Sequence, residues 1–271
     1  MLGDAITQAK FAPHEYNEDV VPAVAAEYEQ SIRDSTTHAL DLAHGLAFRN
    51  GLGNSLFASP HTAVDYSSAV SFAKSAFTPS NIAVLGSGVE SGRLQSLVSE
   101  FFASSSASSS ASSSALSSSA SSYFGGETRV AGHGPLDIFL LAFKGTSHSE
   151  FDLVVLRHLL GGESSIKWSA GSSPLAKLAK GSASAKAFNL AYSDAGLFGI
   201  LVQGASSEVS GVATAAVAEL KKAAKGVDGE ALKQAVAKAK FAAASGLESR
   251  VGSLEIAGAQ VSGPLTAFGP R

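Results

Sequence analysis

Hydrophobic and polar positions alternate along this chain with two periods. Before residue 103 the period is helical. Residues 14–34 carry Val20, Val21, Val24 and Ala25 on one stripe, with Pro22 as an expected kink or restart. Residues 35–48 open on hydroxyl side chains that suit a helix cap and place Ala39, Leu42, Ala43 and Leu46 at helical spacing. Residues 65–77 repeat the pattern with Ala69, Val70, Ala73 and Phe77, and residues 91–102 with Leu94, Leu97, Val98 and Phe101. The apolar run 81–86 predicts a buried strand. After residue 122, strands are predicted at 136–143 and 197–203 and a helix at 149–160. Ser147 and Glu150 have capping-box spacing for that helix, and Phe151, Val154, Val155 and Leu159 form the face expected to meet the strands. Two Ala/Lys-rich helices follow, at 207–225, closed by Gly226, and at 228–244, with Leu232, Ala235, Val236 and Ala239 inward. A last strand is predicted at 253–257. Helices and strands mix without βαβ alternation, which gives the α+β class with antiparallel sheets packed by helices.

One boundary divides the chain. From Ser104 to Ser122 every residue is Ser or Ala except Leu116. Such a tract lacks the apolar surface to offset the entropy of ordering, so 103–122 reads as a linker between 1–102 and 123–271. The net charge of −3 and pI near 6.2 offer no basic stripe for a nucleic acid. Lys221, Lys222, Lys225, Lys233, Lys238 and Lys240 fall on helical stretches and read as a solvated face. No apolar run reaches the ~20 residues that span a bilayer, so any link to a membrane is expected to go through partner proteins.

Candidate chemistry is sparse. With 0 Cys there is neither disulfide, thiolate ligand nor Cys nucleophile. His14, His38, His44, His61, His133, His148 and His158 never pair at helical spacing. His148-x-Glu150 lacks the Cys partners of a deaminase zinc site. His158 reads as a helix-end residue beside the negative end of the dipole. Gly86-Ser87-Gly88 sits where a dinucleotide loop would, but the third glycine, Gly92, is one position late, so a tight turn is the plainer reading. No G-x-S-x-G elbow or phosphate loop is present, and no small-molecule ligand or cofactor is expected.

Six blocks carry a resemblance: EDVVPAVAAE (18–27), LAHGLAFRNGLGNSLFASP (42–60), NIAVLGSGVESGRL (81–94), YFGGETR (123–129), LRHLLGGESSIKWSAGSSPLAKLA (156–179) and FNLAYSDAGLFGI (188–200). In order and spacing they resemble the large core subunits of the mitochondrial quinol–cytochrome c reductase (the cytochrome bc1 complex, complex III), of the fungal core protein 2 type. Those subunits have the fold of the M16 zinc peptidases that process mitochondrial presequences. The resemblance implies two M16-like domains, the first truncated at its N-terminus, so that helix faces in the first half would lack the strands that cover them. It also implies a gene that is read from a late start rather than one whose import signal was removed. Glu27 matches the third zinc ligand of active relatives, with Glu29 an equal match, but the H-x-x-E-H helix is absent; no metal, catalytic or cofactor-binding residue is therefore expected. The implied role is a non-catalytic structural subunit on the matrix side of the inner membrane. Its partners would be core protein 1 and other complex III subunits. The alternative is a partner subunit or fragment of the processing peptidase that carries no zinc.

Overall fold

A computed structural model describes residues 3, 6, 9–60, 64–78, 81–102, 121–132, 134, 136–147, 150–162 and 171–262. The elements are helices α1 (Val21–Arg33), α2 (Ser35–Phe48), α3 (Tyr66–Ala76) and α4 (Ser91–Phe102). Strand β1 (Asp137–Gly145), helix α5 (Asp152–Leu160) and strands β2 (Ser184–Ala191) and β3 (Gly196–Gly204) follow. Helices α6 (Ser206–Lys225), α7 (Gly229–Glu248) and α8 (Arg250–Ser262) complete the order. Helices and an antiparallel sheet together make the α+β architecture that the two periods imply. The residues group into two compact units: 1–28, 58–118 and 248–265 in one, 29–57, 119–247 and 266–271 in the other. This grouping cuts across the division at 103–122, because α2 packs with the sheet of the second half.

In the first unit a π-helical turn, Tyr16–Val20, runs straight into α1. Pro22 follows it, and a proline that lacks the N–H and crowds the preceding turn is a usual cause of such irregularity. The Tyr16 and Tyr66 rings meet edge-on at 5.8 Å, and the Tyr16 hydroxyl donates to the Val64 carbonyl at 2.6 Å. Helix α3 is capped by Asp65, whose carboxylate accepts the Ser68 N–H at 2.7 Å. Two strand expectations fail here. Residues 81–86 form no strand, and Val84 and Leu85 are exposed: an apolar run becomes a strand only where a neighbour supplies a ladder. Residues 253–257 lie inside α8. Ser249 starts that helix by accepting the Gly252 N–H on its hydroxyl at 2.9 Å, and a five-residue alternation cannot outvote a capped turn. Among the described residues no strand precedes Asp137.

The second unit is built on a three-stranded antiparallel sheet of order β1-β3-β2. β3 is central and buried from Gly196 to Val202, as a strand must be that has neighbours on both sides and helices on both faces. On one face Phe198, Ile200 and Val202 join Ala185 and Ala187 of β2, Leu160 of α5, and Val209, Val212, Ala213 and Ala216 of α6. On the other, Leu197 joins Ala47 and Phe48 of α2, with Phe188 and Leu190 packed alongside. Gly199 is required on this face: a Cβ there would lie 2.1 Å from the Leu141 carbonyl and 2.8 Å from the Phe188 ring.

Several local expectations are corrected. The cap of α2 is Asp34, which accepts the Thr36 N–H at 3.1 Å, rather than a hydroxyl. Helix α5 starts at Asp152 with no side-chain cap; Ser147 and Glu150 make instead a backbone turn bond of 3.1 Å. The inward face of α5 is Leu153, Leu156 and Leu160, while Phe151 is 53% exposed. In α7 only Ala235 is fully buried and Leu232 is exposed. Strand β2 was not anticipated, because Ala-rich SAKAFNLA lacks the β-branched signal of a strand.

Candidate functional site

Glu27 sits exposed on α1, and Glu29 is paired with Arg33 at 3.3 Å on the same helix. Among the described residues no group of three or more His, Asp or Glu side chains is placed to hold a metal. His61, His133 and His148 lie outside the described residues. Gly86-Ser87-Gly88 forms a bend before α4, with no strand leading into it. His158 is half-buried in the last turn of α5. Burial, then the charges of Arg157 and Lys238, push its pKa below the ordinary imidazole value, so desolvation outweighs the helix dipole. The best-formed cleft described, about 230 Å³, is lined by Arg33–Thr36, Leu136, Ile138 and Gln203, where the Thr36 hydroxyl donates to the Gln203 side chain at 3.1 Å. That is below the ~300–1,000 Å³ of ordinary ligand pockets.

What the fold does bring together are the residues of the sequence blocks. FNLAYSDAGLFGI is the β2–β3 hairpin; its turn closes with the Tyr192 N–H donating to Ala195 O at 2.8 Å. YFGGETR lies against the end of α2. Phe124 N–H donates to Ala47 O at 2.8 Å, and Tyr123 stacks edge-on against Phe48 at 6.3 Å. The Arg49 guanidinium sits 4.4 Å from the centre of the Phe124 ring. Gly126, at φ 155, brings its backbone so close to Leu46 that a Cβ would lie 2.9 Å from the side chain. His44 of α2 bridges the blocks. Its Nδ1–H donates to the Leu40 carbonyl at 2.7 Å, and its Nε2 shares a hydrogen bond of 2.7 Å with the Tyr192 hydroxyl. Burial raises the Tyr192 pKa, so that hydroxyl keeps its proton. Asp194 in the hairpin turn accepts the Ser121 N–H at 2.7 Å, a bond that holds its carboxyl below the usual range. The assembly is a clasp of rings and backbone bonds that joins three distant stretches of chain. Its hydroxyl–imidazole pair, Tyr192 and His44, ties the β2–β3 hairpin to α2. Sequence reasoning did not single out His44, Tyr192 or Asp194. The only available signal was that Tyr192 and Asp194 stand inside a recognisable block.

Comparison with known proteins gives a consistent picture. Residues 63–239 match the family model described as the peptidase M16 inactive domain. The cytochrome b-c1 complex subunit 2 of Cryptococcus neoformans is 43% identical over 95% of this chain and 60% of its own length. The Neurospora crassa subunit 2 is 40% identical over 96% of this chain and 58% of its own length. The mitochondrial-processing peptidase subunit alpha-2 of Dictyostelium discoideum is 28% identical over 94% of this chain and 58% of its own length. In a solved structure of complex III2 from Candida albicans, one chain superimposes with a TM-score of 0.64 over 99% of this chain and 64% of that one, at 14% identity, a likeness of fold. This chain spans about three fifths of the length of the curated relatives it matches.

Proposed function

From the premise that this chain belongs to the peptidase M16 inactive-domain family, we propose that it is a non-catalytic structural subunit of the quinol–cytochrome c reductase, of the core protein 2 type. The observation that carries this reading is 43% identity to a fungal b-c1 subunit 2 over 95% of the chain. Within it, 1–102 is the end of a first M16-like domain, 103–122 a linker and 123–271 a second such domain. The chain contributes assembly surface, and its partners are core protein 1 and other complex III subunits. No helix among the described residues is long and apolar enough to cross a membrane; the proposed place is therefore peripheral, on the matrix side of the inner membrane. Glu27 is proposed as a plain helix residue rather than a ligand.

A second reading, a zinc-free partner of the processing peptidase, is supported by the Dictyostelium relative. Affinity purification of the tagged endogenous protein separates the two. Recovery of b-c1 subunits in near-equal amount supports the structural role. Recovery of a processing-peptidase catalytic subunit in their place overturns it.

A further inference from the structure

We infer that Asn50 is a site of spontaneous modification, at which the backbone nitrogen of Gly51 converts the side-chain amide to aspartate and isoaspartate. The asparagines of the chain are Asn17, Asn50, Asn54, Asn81 and Asn189, and of these Asn50 alone precedes a glycine. The turn after α2 requires that glycine, because Gly51 stands at φ 63. A glycine has no Cβ to keep the preceding side chain away from its own nitrogen. Three of the other asparagines are held by the fold. Asn17 Nδ2 donates to Pro13 O at 3.0 Å, Asn81 Nδ2 donates to Ser75 O at 3.4 Å, and Asn189 lies within β2 with its Oδ1 buried. Asn50 is exposed, and its side-chain amide has no hydrogen-bond partner among the described residues. The Gly51 N–H is equally free, since the turn is closed by other groups: Gly53 N–H donates to Asn50 O at 3.3 Å and Asn54 N–H to Gly51 O at 3.0 Å. A second dipeptide of the same kind, Asp228-Gly229, is blocked. Its carboxylate accepts the Glu230 and Ala231 N–H groups at 3.1 and 3.2 Å as the cap of α7, which keeps it ionised and turned away from the Gly229 nitrogen.

The reaction needs only water. A solvent base takes the Gly51 amide proton, and the nitrogen bonds to Asn50 Cγ. The side-chain nitrogen takes a proton from solvent and leaves as ammonia, which closes a succinimide ring. Water then opens the ring at either carbonyl. Opening at Cγ leaves a normal chain with aspartate at position 50. Opening at the main-chain carbon leaves isoaspartate, in which the backbone runs through the side chain and gains an atom. Either product adds a negative charge just past the C-terminal end of α2, where the last carbonyls already carry partial negative charge. The extra atom enters a loop with little slack, for a Cβ on Gly53 would lie 3.0 Å from the Phe48 carbonyl carbon and 3.2 Å from His44 O. The same stretch holds the Phe124 N–H on Ala47 O and the Arg49 guanidinium on the Phe124 ring. Conversion at Asn50 therefore loosens the clasp with age.

The test follows the full chain during incubation at neutral pH. Peptides covering 49–57 separate Asn50 from Asn54 by fragment mass, and enzymatic methylation counts isoaspartate. Asn50 should convert about ten-fold faster than Asn54, whose successor Ser55 carries a Cβ. Asp228 should gain no isoaspartate until urea removes its cap. The converted fraction, isolated by its added negative charge, should exchange the Phe124 amide about ten-fold faster than fresh chain, while β3 amides stay slow and report that the fold persists. Asn50→Gln, whose longer side chain closes its ring far more slowly, should age as a single species. Asn54 keeping pace with Asn50, Asn50 staying intact in the folded chain, or unchanged exchange at Phe124 after conversion overturns the proposal.

Discussion

Phe48→Ala tests whether the clasp is the joint of the second unit. The ring is 2% exposed and lies in the cluster with Ala47, Ala195 and Leu197. It faces Tyr123 edge-on at 6.3 Å and His44 at 6.2 Å. Truncating a buried Phe removes its transfer energy and leaves a cavity, for a loss of ~3–5 kcal/mol. The edge-on contact with Tyr123 adds a share of ~0.5–1.5 kcal/mol that a double-mutant cycle with Tyr123→Ala isolates. Against a total stability of ~5–15 kcal/mol, the variant should be close to half unfolded in mild denaturant. Urea titration followed by far-UV circular dichroism reads the effect as a lower midpoint with an unchanged slope. A loss below ~1 kcal/mol, the size of a surface substitution, would show that the ring carries little load and would sink the account of the clasp.

Three further outcomes are expected. Leu160→Ala should cost ~2–5 kcal/mol because Leu160 is 1% exposed, whereas Phe151→Ala should change the urea midpoint hardly at all; the reverse would restore the other face of α5 as the packed one. Gly199→Ala forces a Cβ against the Leu141 carbonyl and should cost ~1–3 kcal/mol or prevent folding, read by the same titration. His158 binds its proton less readily folded than unfolded, so stability should decline as pH falls below ~6.5 and the decline should level off beneath the depressed folded value; in His158→Gln that part of the pH dependence should vanish.

The parts of the fold legible in the sequence are those in which one local signal dominates. Helices α2 and α4 span 35–48 and 91–102 as the 3.6-residue period implies, and the central strand 197–203 shows as an unbroken apolar run because both its faces are covered. Where two periods fit a short segment, tertiary context decided. The alternation SLEIA at 253–257 went helical once Ser249 supplied a cap, and 81–86 had no strand to join. β2 was hidden because its inward residues are alanines, chosen by the close approach of α5 and Gly161 rather than by strand propensity. The clasp was illegible for a different reason. His44, Tyr123 and Tyr192 are 69 to 148 positions apart, and no spacing rule links a helix residue to a hairpin turn.

That distance carries the main physical lesson about the recognisable blocks. Residues that do chemistry cluster where charge, solvent access and strain are arranged for a reaction. Here the recognisable residues cluster where the chain must be held: Gly199 under a ring, Gly126 on Leu46, Asp194 on a loop amide, His44 between a helix carbonyl and a phenol. Each acts by filling space or by pairing a polar group, and each loses its role if its partner is removed. These joints tie α2, the 121–126 segment and the β2–β3 hairpin together, so under the proposed structural role their loss should be read in stability and assembly rather than in turnover.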